Sequence, residues 1–232
     1  MSGLFPECRN VKELSDVLYN KKNPITTENC RWKFKHPEVL EYVGKVPDLN
    51  LFDAQFFMVH YRLGNNMDCI CRKVLEQAYQ AIYDAGISPE DLANLNFIVY
   101  VPISTYKAGC FSLFVFIDYS HFNYSGNRSM FANRISYWLN AKGPSMSLDQ
   151  ACCSSINALE SGCDAIRDGL CEAAIVAGCS LCLHPQNIVH YQRLMTMSAD
   201  GKTRSFDKNA NGFVRSEAIN VLFLQKAKNA LR

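Results

Sequence analysis

Apolar positions first recur with a helical period in residues 10–20, where Val11, Leu14, Val17 and Leu18 fall on one face and Asn10 stands as N-cap. A short surface helix is predicted there. From Lys21 to Leu49 no period is sustained and Pro24, Pro37, Gly44 and Pro47 interrupt the chain, so an extended loop is expected. Between Asn66 and Ala85 the stripe Met67, Cys71, Val74, Leu75, Ala78, Ile82 predicts a long core-facing helix that Gly86 stops. Ser88-Pro89-Glu90-Asp91 has the form of a cap with proline at the first helical position, opening one turn before the strand "NFIVYVPI". A further helix is predicted over Ser129–Leu139, followed by Gly143-Pro144 and the strand "SMSLD". From Ser154, Ile156, Leu159, Cys163 and Ile166 draw a second stripe, taken to face the core, on a helix closed by Gly169. "EAAIVAG", apolar almost throughout, reads as a strand buried on both faces and adjacent to "MSLD", with the Ser154 helix crossing between them. Strands alternating with helices predict a layered α/β fold.

Composition narrows the function classes. A chain of 232 residues, 48% hydrophobic and 20% charged, buries a real core. Its 24 basic and 22 acidic residues leave a formal charge of +2 without a basic run, which argues against nucleic acid as a partner. The longest apolar stretch, "CFSLFVFI" (Cys110 to Ile117), is too short to cross a bilayer and "MSGLFPECRN" has no signal-peptide core, so no membrane partner and a soluble, cytoplasmic protein are expected. Eleven cysteines then read as reduced thiols, and the sequons at Asn123 and Asn127 as incidental.

Chemistry concentrates in "GPSMSLDQACCSSINALESG", which places Cys152 and Cys153 where a strand turns into a helix. Unpaired N–H groups and the positive end of the helix dipole favour a thiolate at such a position, and the same N–H groups can receive the oxyanion of a thioester under attack. A small buried residue is the alternative at a strand–helix junction. Cys179-x-x-Cys182, with His184 and His190 nearby and Cys69-x-Cys71 as the other pair, raises a metal site; a two-residue offset on a helix points the latter thiols apart, and neither zinc nor a redox role is adopted. Asp207, Arg215 and Glu217 read as a charged cluster shaping a loop. No phosphate loop or dinucleotide fingerprint is present, so no directly bound cofactor is expected.

Four separated blocks resemble the β-ketoacyl synthases, condensing enzymes of the thiolase-like superfamily. "GPSMSLDQACCSSINAL" is similar to the segment in which Gly-Pro-Ser, a strand and Asp-x-Ala-Cys-Ser-Ser lead into the nucleophile's helix. "SMFANRISYWLNAKGPS" resembles the Asn-Arg-Ile-Ser-Tyr segment. "LFDAQFF" with "NNMDCICRKVLEQAYQAIYDAGISPEDL" resembles Phe-Asp-x-x-Phe-Phe and the Met-Asp helix, and "RLMTMSADGKTRSFDKNANGFVRSEA" the Phe-Asp-x-x-x-x-Gly-x-x-Arg-x-Glu run. The Arg215-Ser216-Glu217-Ala218 spelling looks most like the ketosynthase domain of animal, including insect, fatty acid synthases.

The resemblance implies a thiolase-like layered α/β fold and Cys152 as the nucleophile, with Cys153 where the family has serine. It implies acyl and malonyl thioesters carried on the phosphopantetheine of an acyl carrier protein, and a homodimer when complete. It also implies that residues 1–232 are the N-terminal half of a condensing domain, truncated at both ends, lacking the first strand and the C-terminal half with its catalytic histidines and lysine. None of His36, His60, His121, His184 or His190 lies in a segment resembling theirs. Ile98 and Pro102 replace family glycines, so strain is expected around them. Fatty acid condensation through a cysteine acyl-enzyme is the functional expectation, with the isolated chain not completing the reaction. The other hypothesis is an inactive fragment serving dimerisation or interaction.

Overall fold

A computed structural model describes residues 1–28, 31–32, 37, 39–92, 97–102 and 130–230. The stretch Cys110–Ile117, the sequons, His36, His121, Ile103 and Ser129 lie outside the described residues. In chain order the elements are β1 (Ser2–Leu4), α1 (Val11–Tyr19), β2 (Ile25–Thr26), β3 (Val43–Gly44), α2 (Tyr61–Asn66), α3 (Cys69–Asp84), α4 (Pro89–Leu92), β4 (Phe97–Pro102), α5 (Met130–Trp138), β5 (Ser145–Leu148), α6 (Ser154–Arg167), β6 (Ala173–Ser180), α7 (Pro185–Arg193), β7 (Ala218–Gln225) and α8 (Ala227–Ala230). They divide between two compact units, one of Met1–Gly3, Asp48–Cys179 and Ile219–Arg232, the other of Leu4–Pro47 and Ser180–Ala218.

The first unit is built on a five-stranded sheet in the order β1-β7-β6-β4-β5. β4 runs parallel to both neighbours, pairing Val99 with Ser145 on one side and Phe97 with Ala173 on the other. Buried from Ala173 to Cys179, β6 has the double-sided burial its apolar run predicts. "MSLD" and "EAAIVAG" are not adjacent, however: β4 lies between them, and β5 is a half-buried edge strand. Order along the chain does not set order in a parallel sheet, because a crossover can pass over an intervening strand. Residues 2–4, read from the sequence without a strand, form the buried strand β1 beside β7.

Ile98 and Pro102 do not strain the backbone, since neither has a positive φ. Ile98 is buried in β4 opposite Ala174. Pro102 ends β4 opposite Leu148, beyond Tyr100, the last position paired with β6, so its missing N–H costs nothing on that side.

α3 begins where the Asp68 carboxylate accepts from the N–H of Ile70 at 2.7 Å and ends before Gly86, whose φ of +70° an L side chain rarely adopts. Met67 and the helical residues Cys71, Val74, Leu75, Ala78 and Ile82 are all buried, as the stripe predicts. Each fully buried Leu or Ile contributes about 1.5–3 kcal/mol. Lys73 is buried too; its ammonium donates to the Leu51 carbonyl and to Glu76, both at 2.7 Å. Phe52, Phe56 and Phe57 of "LFDAQFF" join Tyr79 and Trp138 in an aromatic cluster, with the Phe57 and Trp138 centroids 4.9 Å apart. That motif is therefore packing.

α6 packs only half of its predicted stripe against the core. Ile156 is 66% exposed and Cys163 is exposed, while Ser154, Ala158, Gly162 and Ala165 are buried. Leu159 and Ile166 pack from the flanks against the cluster of Ile98, Tyr100, Ala158, Ala165, Cys171 and Val176. The facing strand is rich in small residues, and short side chains on both surfaces let helix and sheet approach closely.

In the second unit α1 is capped by Asn10, whose side-chain oxygen accepts from the N–H of Glu13 at 2.8 Å, and none of its residues is buried. The expected loop from Lys21 to Leu49 contains only the two-residue pair β2–β3 among its described residues. Val43, Cys182, Ile188 and Met197 form a small core flanked by Trp32, Val39, Leu40, Tyr191 and Phe213.

Candidate active site

The strand–turn–helix reading of "SMSLDQACCSS" holds. β5 ends at Leu148, Ala151–Cys153 form one 3-10 turn, and α6 starts at Ser154. Ala151 has φ +52°, a left-handed conformation that costs an L-residue about 1–2 kcal/mol. The Ser154 hydroxyl, 1% exposed, closes the bend: it accepts from the N–H of Gln150 at 2.7 Å and donates to the carbonyl of Ala151 at 2.7 Å. The Asp149 carboxylate accepts from the N–H of Ala151 at 3.4 Å. Cys153 donates its N–H to Gln150, and Ser154 its own to Ala151. Among the described residues the N–H of Cys152 has no partner. Cys152 and Cys153 are both exposed, so the buried alternative for these thiols is excluded.

Gly178 on β6 holds the start of α6 close to the sheet. A Cβ there would lie 2.6 Å from the Asn220 Oδ1 and 2.9 Å from the Ser155 Oγ, closer than real Cβ atoms come. At the other end of α6 an open groove of 610 Å³ is lined by Cys163, Ile166, Arg167, Leu224, Lys226 and Ala230 among others, and not by Cys152.

The remaining thiols are chemically different. Burial pushes Cys71 up to about 12 and raises Cys179 further, with Asp68 adding to both. Burial also raises Cys8 and Cys171, and it raises Cys182 against the pull of the Arg215 guanidinium. Among the described residues no three His, Cys, Asp or Glu side chains are grouped so as to hold a metal ion. His60 and His184 cap helices, their Nδ1 atoms accepting from the N–H groups of Arg62 at 3.3 Å and Gln186 at 3.2 Å.

Asp207, Arg215 and Glu217 do not form one cluster. Glu217 is fully buried and takes both oxygens to Arg31, with Nε–Oε1 3.0 Å and Nη2–Oε2 2.5 Å; it also accepts from the N–H groups of Val46 and Cys182, each at 3.0 Å. Arg215 instead lies over the Tyr191 ring, 4.6 Å from its centroid, and Asp207 accepts from the N–H of Asn209 at 2.8 Å. Arg31, the true partner of Glu217, lies 186 positions away, and nothing local in the sequence announces it. Asp200, Arg204, Asn211 and the buried Ser198 form a separate network, in which hydrogen bonds from Arg204 and then Ser198 hold the Asp200 carboxyl well below the usual carboxylate range. Ser154 was also missed: its hydroxyl bonds back across the preceding turn, whereas a serine near a helix start signals a forward-bonding cap.

No helix among the described residues is long and apolar enough to cross a membrane. The model of the β-ketoacyl synthase N-terminal domain matches residues 1–230. Fatty acid synthase of the goose Anser anser anser is 40% identical over 233 residues, an alignment covering all of this chain and 66% of that sequence. Polyketide synthase PksM of Bacillus subtilis strain 168 is 32% identical over 254 residues, covering 99% of this chain and 6% of its own length. Among solved structures, the ketosynthase from module 6 of the bacillaene synthase of Bacillus subtilis 168 superposes with a TM-score of 0.86 at 31% identity, over 99% of this chain and 39% of that one. The chain thus spans less than two thirds of these relatives.

Proposed function

The chain belongs to the β-ketoacyl synthase family, as its N-terminal domain, and on that premise we propose that it carries the acyl-accepting nucleophile, Cys152, of a condensing enzyme of fatty acid synthesis. The observation behind this reading is the turn itself: an exposed thiol, next to a left-handed Ala151 and with its own N–H unengaged, at the position the family's Asp-x-Ala-Cys pattern gives to the nucleophile. The Cys152 sulfur attacks the carbonyl carbon of an acyl thioester on the phosphopantetheine arm of an acyl carrier protein, and the developing oxyanion takes the free Cys152 N–H as one donor. The carbon–sulfur bond to the carrier then breaks, and the carrier thiol leaves with the proton. In the second half-reaction malonyl thioester loses carbon dioxide, its carbanion attacks the Cys152 thioester, and the thiolate departs from a chain longer by two carbons.

Identity of 40% with goose fatty acid synthase, against 32% with PksM, supports fatty acid rather than polyketide synthesis. A carrier-bound substrate, a homodimer, a cytoplasmic setting for the free thiols and no directly bound cofactor complete the proposal. The described histidines cap helices or lie in segments unlike the family's catalytic ones, so these 232 residues accept the acyl group without elongating it.

Incubation with an acyl-carrier thioester, followed by peptide mass spectrometry, should place the acyl group on Cys152, and Cys152→Ala should abolish that adduct. A longer chain that adds a C-terminal half should elongate a primer in the presence of malonyl thioester. Acylation elsewhere, or elongation by the 232-residue chain, would overturn the proposal. Silence from the longer chain would favour an interaction module.

A further inference from the structure

We infer that Ser154 is a positioning residue for the nucleophile, holding the Ala151 turn so that the Cys152 thiol faces solvent; this rests on the reading of Cys152 as the reacting group. Three observations converge on it. Ser154 is 1% exposed, so no water competes for its hydroxyl. That hydroxyl makes two hydrogen bonds of 2.7 Å, one in from Gln150 N–H and one out to the Ala151 carbonyl, spanning the residue at φ +52° from both sides. A left-handed alanine persists only where its surroundings over-determine it, and these two bonds are shorter than the 3.2 Å and 3.4 Å contacts of Cys153 and Ala151 N–H. Cys152 directly follows Ala151, so relaxation of that φ swings its sulfur and N–H together.

Removing the hydroxyl leaves the Gln150 N–H without its buried partner, leaves the Ala151 carbonyl only the Ser154 N–H, and lets residue 151 return toward negative φ. Glycine takes either conformation at little cost. Ala151→Gly therefore offsets the loss if Ser154 acts through the turn, and does nothing if Ser154 only packs.

The test is alkylation of the 232-residue chain by iodoacetamide in a Cys153→Ser background, which leaves one thiol on the turn. Cys163, exposed on α6, is the internal reference. Ser154→Ala should lower the Cys152-to-Cys163 labelling ratio by roughly tenfold, equivalent to about 1.4 kcal/mol of activation free energy. Ala151→Gly with Ser154→Ala should restore the ratio to within about twofold of the background protein. A ratio unchanged in Ser154→Ala, or still depressed in the folded double variant, would overturn the inference. If Ser154→Ala unfolds, seen as labelling of buried Cys71 and Cys179, the double variant decides: a folded protein with the ratio restored supports the role, and continued unfolding refutes it. Because iodoacetamide needs no acyl carrier, a failure here is distinct from a failure of acyl transfer.

Discussion

Among the described thiols, iodoacetamide added to the native chain should reach Cys152, Cys153 and Cys163 first, and Cys152 ahead of the other two, because among them only Cys152 pairs exposure with an unengaged backbone N–H beside the sulfur. A peptide-resolved time course checks the order, and faster labelling of Cys153 or Cys163 would remove Cys152 as the nucleophile. The buried thiols make a separate, pH-linked statement. Cys71 rises from 9.0 to about 12 on folding, chiefly through burial. Below pH 9.0 both folded and unfolded chains keep this proton and the stabilisation is fully present; between 9.0 and about 12 only the unfolded chain releases it, so stability falls as pH rises. Each such thiol contributes a slope of at most about 1.4 kcal/mol per pH unit. Urea unfolding near pH 8 and at about pH 10.5 should show a smaller decline for Cys71→Ala than for the parent chain. An equal decline would mean that this thiol is not what links stability to pH.

At the scale of the element, α6 departs from its sequence stripe at Ile156 and Cys163, and the predictions there invert. Ile156→Ala should change stability by no more than about 0.5 kcal/mol, whereas Ala158→Leu should cost about 1–3 kcal/mol by forcing the helix off the sheet. Gly178→Ala should likewise cost about 1–3 kcal/mol and slow Cys152 alkylation, since its Cβ meets Asn220 and Ser155. Thermal unfolding and the labelling assay read both effects. Hydropathy misjudges this face because it ranks Ile above Ala, whereas β6 turns Ala174, Val176 and Gly178 toward α6, and a Cβ on Gly162 would already lie 3.1 Å from Val176, so short side chains fit at the closest approach. Where the buried face really is the large one, as on α3, periodicity found it. Caps, the Gly86 stop and the turn at Cys152 were legible because each depends on residues a few positions apart. The sheet order, the Arg31–Glu217 pair and the backward bond of Ser154 were not, because they depend on approaches that no local pattern encodes.

For the molecule as a whole, the most demanding contact is Glu217. One carboxylate satisfies Arg31, Val46 and Cys182, drawn from both segments of the second unit. Glu217→Gln should cost about 3–5 kcal/mol by removing the buried carboxylate charge that the Arg31 guanidinium faces at both oxygens. Faster hydrogen exchange at the Val46 and Cys182 amides would report it; unchanged exchange would show that the pair is dispensable. The same contact carries a consequence for biosynthesis. Arg31 precedes Glu217 by 186 positions, and at ribosomal rates of about 5–20 residues per second it leaves the exit tunnel roughly 10–40 s before its carboxylate. β1 likewise has its place in the sheet beside β7, which is synthesised long after it. From the emergence of β6 to that of β7 the nascent chain also exposes the β6 edge that β7 will cover, an unpaired strand open to wrong partners. Ribosome-bound chains stalled before Glu217 should therefore be protease-sensitive clients of chaperones, and those stalled only after Gln225 has cleared the tunnel should not.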